Sequence, residues 1–153
     1  MKSQIILCSG GARSGKSEFA ERLALATEGR KAYVATGQAF DDEMVDRIKK
    51  HQERRGNIWT NFEIPLYLAE EWQHISSVAD VILIDCLTMF TTNHMMAHGS
   101  IQGQQDANRL EDTVLSELEA LLNLIKVSDD KIVIFVTNEI GLGIVPDNKL
   151  ARY

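Results

Sequence analysis

The sequence has 153 residues, of which 44% are hydrophobic and 25% are charged, which is typical of one globular domain with its own core. Its formal net charge of −6 argues against nucleic acid as the main partner, because binding a phosphate backbone usually needs a basic face. The charge does not argue against a small phosphorylated ligand, which needs only a local site.

Targeting signals are not evident in the sequence. The N-terminus leads directly into a predicted strand, and no apolar run approaches the length of a membrane span. Cys8 and Cys86, the only cysteines, fall at or just after predicted central strands, so we expect buried, reduced thiols. These features predict a cytoplasmic protein with no transmembrane segment.

A glycine-rich stretch near the start matches the P-loop pattern, in which a glycine and four residues precede Gly-Lys-Ser or Gly-Lys-Thr. Gly10, Gly15, Lys16 and Ser17 occupy the defining positions. The glycines let several backbone amides face one point, and the following helix adds its unpaired N-terminal donors there. We expect Lys16 to reach the outer phosphates of a nucleotide and the Ser17 hydroxyl to hold Mg²⁺.

The flanks of this stretch decide between a P-loop and an ordinary glycine-rich turn. Residues 5–8 form an apolar run typical of a buried parallel strand. Phe19, Leu23 and Ala26 recur at helical spacing and predict the buried face of the following helix. Because strand, loop and helix are all present, the context favours the P-loop.

Two further predicted strands end in polar residues. Residues 31–35 precede Thr36 and Gly37, which form either a plain turn or part of a ligand crevice at the carboxyl end of a sheet. Residues 81–84 are apolar and lead to Asp85. Asp85 is interpreted as a second Mg²⁺-organising group of a P-loop enzyme, the alternative being a cap on the next helix.

A predicted helix from Asp41 to about Arg55 carries a basic face. Arg47, His51 and Arg55 recur every four residues and share one side of the helix. From the residues alone this is either a solvated surface or a site where arginines attract a polyphosphate beside a nucleophilic histidine.

The remaining pattern alternates strands and helices, which predicts one α/β domain with a parallel sheet. A strand near residues 58–64 precedes a helix over 68–77 and another over 86–98. Gly99 to Asn108 is polar and Gln-rich and is predicted to be a flexible loop. A long apolar stripe beginning at Leu110 then precedes a buried strand over residues 131–136.

Four blocks spread over the chain resemble one family, the bifunctional adenosylcobinamide kinase / adenosylcobinamide-phosphate guanylyltransferases of cobalamin biosynthesis. These blocks are Gly10 to Ser17, Asp41 to Met44 with Arg47, Ile48 and His51, Asp85 to Thr88, and Val136 to Pro146. The resemblance implies a P-loop NTPase-type, RecA-like fold, with a mostly parallel sheet flanked by helices. It also implies a homotrimer that uses Mg²⁺ and takes GTP and ATP as substrates.

The same resemblance implies two reactions and a set of site residues. A nucleoside triphosphate phosphorylates adenosylcobinamide, and GTP then guanylylates a histidine, which passes GMP to adenosylcobinamide phosphate. By motif position the catalytic residues are His51 and Lys16, and the metal ligands are Ser17 and Asp85. The implied nucleotide-binding residues are Gly10, Gly11, Ala12, Arg13, Ser14, Gly15, Lys16, Ser17, Ala35, Thr36, Gly37, Gln52, Glu53, Arg54, Arg55, Glu63 and Asp85.

Two alternatives to this function stay open at the level of sequence. The first is a small-molecule P-loop kinase with no covalent nucleotidyl step, and the second is a nucleotide-dependent switch that is not an enzyme. Residues 1–153 are expected to form a single P-loop domain that ends before the last helix and strand of the family.

Overall fold

The computed structural model describes residues 2–11, 14–37 and 42–138, which contain five strands and five α-helices. The strands are β1 (Gln4–Gly10), β2 (Lys31–Ala35), β3 (Trp59–Glu63), β4 (Val81–Asp85) and β5 (Ile132–Asn138). The helices are α1 (Lys16–Leu25), α2 (Asp42–Arg55), α3 (Leu68–Val78), α4 (Leu87–His98) and α5 (Gln104–Val127). A short 3₁₀ turn, Gly56–Ile58, joins α2 to β3.

The five strands form one sheet in the order β1-β5-β4-β2-β3, and every neighbouring pair is parallel. The predicted α/β class and parallel sheet are therefore confirmed. Because the strands are parallel, their carboxyl ends meet at one edge, where β1 leads into the P-loop and β4 ends at Asp85. Strand β5 lies between β1 and β4, so the P-loop and Asp85 are at the ends of strands that have one strand between them.

Helices cover both faces of the sheet because the strands alternate apolar side chains between them. On one face Leu68, Phe90 and Ile125 from α3, α4 and α5 are fully buried. On the other face α1 packs through Ala20 and Ala24 onto side chains of β1, β4 and β5. The first four residues of β4, Val81 to Ile84, have no exposed surface, as expected for a strand buried on both sides.

The structure corrects the predicted buried face of α1. Phe19 is 56% exposed, whereas Ala20 and Ala24 are fully buried. Small side chains let the helix approach the sheet closely, so the residues with the largest apolar side chains do not mark the buried face.

The polar segment from Gly99 to Asn108 is not a loop throughout, because α5 begins at Gln104. Asp106 accepts a hydrogen bond from the backbone N–H of Gln102, and the Gln104 side chain donates to Asn108 one turn later. Ala107 is buried, so the first turn of α5 already belongs to the core. The apolar stripe predicted from Leu110 onward is confirmed.

A charged cluster closes the edge of the sheet opposite the P-loop. Asp80 accepts hydrogen bonds from the Arg30 backbone N–H at 2.9 Å and from the Arg30 Nε at 3.0 Å. Lys131 Nζ lies 3.5 Å from the other oxygen of Asp80. The Arg30 side-chain hydrogen bond is the main cause that holds the pKa of Asp80 far below its usual range.

Within the described ranges, none of the helices combines the length and hydropathy that a membrane crossing requires.

Candidate active site

The described part of the P-loop contains backbone hydrogen bonds and a left-handed residue, Gly15. Gly15 has φ 82°, a conformation that glycine adopts readily, and directly precedes the first residue of α1. Its carbonyl accepts from the Phe19 N–H at 3.0 Å, and the Gly11 carbonyl accepts from the Ser14 N–H at 3.2 Å. Lys16 Nζ also donates to the Gly11 carbonyl, at 3.2 Å, which folds its side chain back over the loop.

Six of the eight predicted P-loop residues are described. Ala12 and Arg13 lie outside the described residues. Gly10, Ser14, Gly15 and Lys16 line an open depression of about 700 Å³ beside β1. The predicted start of α2 at Asp41 and the part of the fourth block from Glu139 to Pro146 also lie outside the described ranges.

A second cavity, of about 230 Å³, lies between α1, α2 and the sheet edge. Ser17 from the start of α1, His51 from α2 and Asp85 from the end of β4 all line it. His51 itself is exposed. One chain therefore brings the predicted nucleophile and both predicted metal ligands to the same cavity.

Asp85 is held by a tyrosine. The Tyr33 hydroxyl donates to Asp85 Oδ2 at 2.6 Å. In the sheet Ala35 pairs with Asp85, so Tyr33 lies two residues back on the same face as Asp85, and its long side chain bridges the diagonal. Burial raises the pKa of Tyr33 well above its usual range, and the neighbouring Asp85 carboxylate raises it further. Tyr33 is therefore the donor of this bond.

The alternative interpretation of Asp85, a cap for the next helix, is wrong. Cys86 occupies the N-cap of α4, and its Sγ accepts from the Met89 N–H at 3.4 Å. Both cysteines are free thiols and buried, as predicted. Burial raises the pKa of Cys86, as it does that of Cys8.

Strand β2 reaches the site through its last residue, Ala35, which lines the cavity of Ser17 and Asp85. Thr36 is fully buried, and its hydroxyl donates to the Cys86 carbonyl at 2.6 Å while accepting from the Cys86 N–H at 2.8 Å. The Thr36 side chain is thus occupied in fixing the residue after Asp85. Gly37 is half-buried.

The basic residues of α2 take different environments. Arg47 is exposed and pairs with Glu43 at 3.8 Å, one turn earlier. Arg54 and Arg55 both pair with Glu21 of α1. The side chain of Arg55 is only 6% exposed. The whole residue is half-buried, because its backbone atoms are more exposed than its side chain. Only Arg54 and Arg55 of these arginines line the cavity of His51.

A third cavity, of about 270 Å³, lies on the other side of α2. Gln52 and Glu63 line it together with Ile48. Ile48 also lines the cavity of His51, and Glu18 lines both that cavity and the P-loop depression. The His51 cavity therefore shares one lining residue with the P-loop depression and one with the cavity of Glu63. The predicted residue Glu53 is exposed and lines none of these three.

Sequence reasoning missed several residues that shape this site. Tyr33 and Glu21 act through partners 52 and 33 positions away. At the end of β5 the Asn138 N–H donates to the Thr88 hydroxyl at 2.8 Å, which ties two of the family-like blocks together. Asn138 Oδ1 is buried without a hydrogen-bond partner in the part of the chain that the structure describes, and Asn138 pairs with Gly10 of the P-loop. Of Tyr33, Glu21 and Asn138, Asn138 alone lies in a sequence block that resembles the family, and no short motif marks Tyr33 or Glu21.

The chain is similar to one family of known proteins. A family model described as "Cobinamide kinase / cobinamide phosphate guanyltransferase" matches residues 6–153. The chain is 35% identical to the "Bifunctional adenosylcobalamin biosynthesis protein CobU" of Escherichia coli K12, over 97% of this chain and 82% of that protein. It is 37% identical to the protein of the same name from Salmonella typhimurium, with the same coverage. It is 40% identical to the "Bifunctional adenosylcobalamin biosynthesis protein CobP" of Pseudomonas aeruginosa, over 95% of this chain and 78% of that one.

A solved structure supports the fold. It comes from a study of "a prototypical ATPase from the type III secretion system of pathogenic bacteria" and matches with a TM-score of 0.62. The match covers 97% of this chain and 47% of the ATPase at 11% sequence identity. At that identity the likeness shows the P-loop ATPase fold alone.

Proposed function

Because the chain belongs to the cobinamide kinase / cobinamide phosphate guanyltransferase family, we propose that it carries out both reactions on one site. It phosphorylates adenosylcobinamide with a nucleoside triphosphate. It then transfers GMP from GTP to adenosylcobinamide phosphate through a guanylylated histidine, giving adenosyl-GDP-cobinamide.

The kinase half uses the P-loop. The aminopropanol hydroxyl oxygen of the substrate attacks the γ-phosphorus, its proton is lost, and the nucleoside diphosphate leaves. Lys16 and the loop amides bind the phosphates whose negative charge shifts during this transfer. Lys16 starts from a hydrogen bond to the Gly11 carbonyl, which a phosphate oxygen can replace.

The guanylyltransferase half uses His51 as nucleophile. An imidazole nitrogen attacks the α-phosphorus of GTP, a P–N bond forms, and the bond to the β-phosphate breaks with loss of pyrophosphate. A phosphate oxygen of the second substrate then attacks the same phosphorus, and the P–N bond breaks. Two easier displacements replace one difficult transfer.

One observation carries this proposal: His51, Ser17 and Asp85 line a single cavity of one chain. A solvated basic surface needs no such convergence, whereas a nucleophile must lie beside the phosphates that it attacks. The adjoining depression formed by Lys16 and the loop supplies the phosphate end.

The donor set at Ser17 and Asp85 fits Mg²⁺. Both offer oxygen ligands, and Mg²⁺ typically takes one or two protein groups and completes its shell with phosphate and water oxygens. Across the described residues, no three His, Cys, Asp or Glu side chains cluster as an all-protein metal cage would require. Bound Mg²⁺ would neutralise phosphate charge during both displacements.

Glu63 is proposed to read the guanine of GTP. It lines the cavity beyond His51 with Gln52. A carboxylate accepts hydrogen bonds, and guanine offers N–H donors on its edge where adenine does not offer the same pair. The proposed phosphate donor of the kinase half is a nucleoside triphosphate, ATP or GTP.

A homotrimer is proposed as the assembly. Val45 of α2 is 52% exposed beside the half-buried Ile48, which leaves apolar surface on this helix for a neighbouring copy. Light scattering of the purified protein measures this directly, and a monomer mass at micromolar concentration contradicts it.

Paired assays on the full chain test the proposed function. With γ-labelled ATP or GTP, label should reach adenosylcobinamide in the wild type and in His51→Asn, and be lost in Lys16→Ala. With α-labelled GTP and adenosylcobinamide phosphate, product should form in the wild type and vanish in His51→Asn. Kinase activity without GMP transfer in the wild type would identify a simple kinase, and nucleotide binding without either product would identify a switch.

A further inference from the structure

The last turn of helix α2 is held by ion pairs and hydrogen bonds to other elements of the domain. No residue of α2 is buried as a whole, yet it carries His51. At its end the Arg55 guanidinium is enclosed, with Cζ 3.6 Å from the centroid of the Tyr33 ring. Arg55 Nη1 lies 3.7 Å from Glu21 of α1, and its Nη2 donates to Asn61 Oδ1 of β3 at 3.0 Å. This one side chain therefore contacts α1, β2 and β3.

The Tyr33 side chain serves two neighbours at once. Its ring seats Arg55, while its hydroxyl donates to Asp85 Oδ2 at 2.6 Å. The Tyr33 and Trp59 rings meet nearly at right angles, with their centroids 6.0 Å apart, and this contact limits tilting of the Tyr33 ring. The position of the Tyr33 ring therefore determines both the orientation of the Asp85 carboxylate and the position of the last turn of α2.

We propose that Tyr33 and Arg55 are positioning residues, with the Tyr33 hydroxyl orienting Asp85 and the Tyr33 ring seating Arg55 so that His51 lies over the same cavity. His51 and Arg55 are one helical turn apart, so fixing Arg55 fixes the reach of His51. Arg55 is held by three partners, and its proposed effect on His51 passes through the helix that carries both residues. This inference rests on the proposed function, because it assigns Asp85 and His51 their roles.

The proposal predicts that the hydroxyl and the ring have separable effects. Tyr33→Phe removes the bond to Asp85 and keeps the ring face for Arg55. Arg55→Lys keeps a cation near Glu21 but loses the planar group that stacks on Tyr33 and bonds to Asn61. Tyr67→Phe is the matched control, because Tyr67 is 54% exposed and lies outside the three cavities.

The first readout is binding. The affinity for a non-hydrolysable GTP analogue is measured with Mg²⁺ and with EDTA, and their ratio gives the gain due to Mg²⁺. We expect Tyr33→Phe to reduce this gain by about threefold or more, since a hydrogen bond to a charged group is lost, with the EDTA value unchanged. Arg55→Lys and Tyr67→Phe should keep the gain. A merely structural role for Tyr33 would lower both affinities together, and an unchanged gain would overturn the Asp85 part of the proposal.

The second readout is labelling of His51 by α-labelled GTP at saturating nucleotide. Arg55→Lys should label about tenfold or more slowly, because a small misplacement of a nucleophile is costly. Labelling at the wild-type rate would overturn the Arg55 part. Hydrogen exchange of the α2 amides gives a measure that needs no reaction: it should rise in Arg55→Lys and stay constant in Tyr33→Phe.

These readouts separate failure of the inference from failure of the proposed function. If the wild type takes no label at all, the guanylyltransferase half is wrong. The Mg²⁺ gain and the exchange of α2 still test Tyr33 and Arg55 in that case.

Discussion

Gly15 offers a quantitative test of the P-loop geometry. It precedes α1 with φ 82° and ψ 10°, in the left-handed region. Among the described residues, an alanine Cβ at this position would meet Glu18 Oε2 alone, at the ordinary contact distance of 3.4 Å. The cost of Gly15→Ala is therefore one of backbone conformation, about 1–2 kcal/mol for a residue with a Cβ.

That cost divides between folding and binding. If the loop stays left-handed, the free energy of unfolding falls by about 1–2 kcal/mol, and the Tm falls by about 2–4 °C for each kcal/mol. If the loop relaxes to another conformation, nucleotide binding must restore it, and affinity falls by about 5- to 30-fold. The two losses should sum to about the same total.

Two variants control this measurement, which combines thermal unfolding with nucleotide titration. Gly11→Ala reports the entropy gained by any Gly-to-Ala change, about 0.4–1 kcal/mol, because its Cβ meets no atom of the described residues within 4 Å. Gly15→Asn should recover part of the loss, since asparagine tolerates the left-handed region. Should Gly15→Ala prove as stable as Gly11→Ala and bind nucleotide as the wild type does, the assigned loop conformation is wrong.

Three further variants test other parts of the molecule. Lys16→Ala should weaken nucleotide binding by about tenfold or more, because a charge-assisted bond to phosphate is lost; isothermal titration measures this, and an unchanged affinity would refute the P-loop assignment. Glu63→Gln should reduce the preference for GTP over ATP by about tenfold without changing ATP affinity, measured by competition; an unchanged preference removes Glu63 from the guanine site. Asp80→Asn should lower the Tm at neutral pH by about 2–4 °C, a modest loss because the pair with Arg30 is partly exposed. Since the folded pKa of Asp80 is depressed, its stabilisation is present above the unfolded pKa of about 3.9 and is lost as pH falls below it, so wild type and variant should converge in acid.

The sequence predicted the parts of this protein that depend on local patterns. The P-loop, the strand that ends at Asp85 and the end of α2 at Arg55 follow from spacing within short segments, and the structure has them at those positions. The α1 face was missed because Ala20 and Ala24 give a weaker apolar signal than Phe19. The start of α5 was missed because polar composition resembles a loop even where Asp106 and Ala107 support a helix.

The support of the site was beyond local prediction. The bond between Tyr33 and Asp85 joins residues 52 positions apart, and it depends on β2 lying beside β4 in the right register. The pattern of apolar and polar residues within β2 or β4 does not encode which strand lies beside it or in what register. The placement of His51 beside Ser17 likewise depends on how α2 packs, although the choice of His51 came from sequence.

The central claim is that His51 forms the covalent bond to GMP, and labelling with α-labelled GTP tests it most directly. The wild type should retain label that is acid-labile and base-stable, on the peptide that contains His51. His51→Asn should retain none while binding GTP as tightly as the wild type, and γ-labelled GTP should leave no label in either. A folded, GTP-binding wild type that stays unlabelled, or a His51→Asn protein that becomes labelled, would contradict the account.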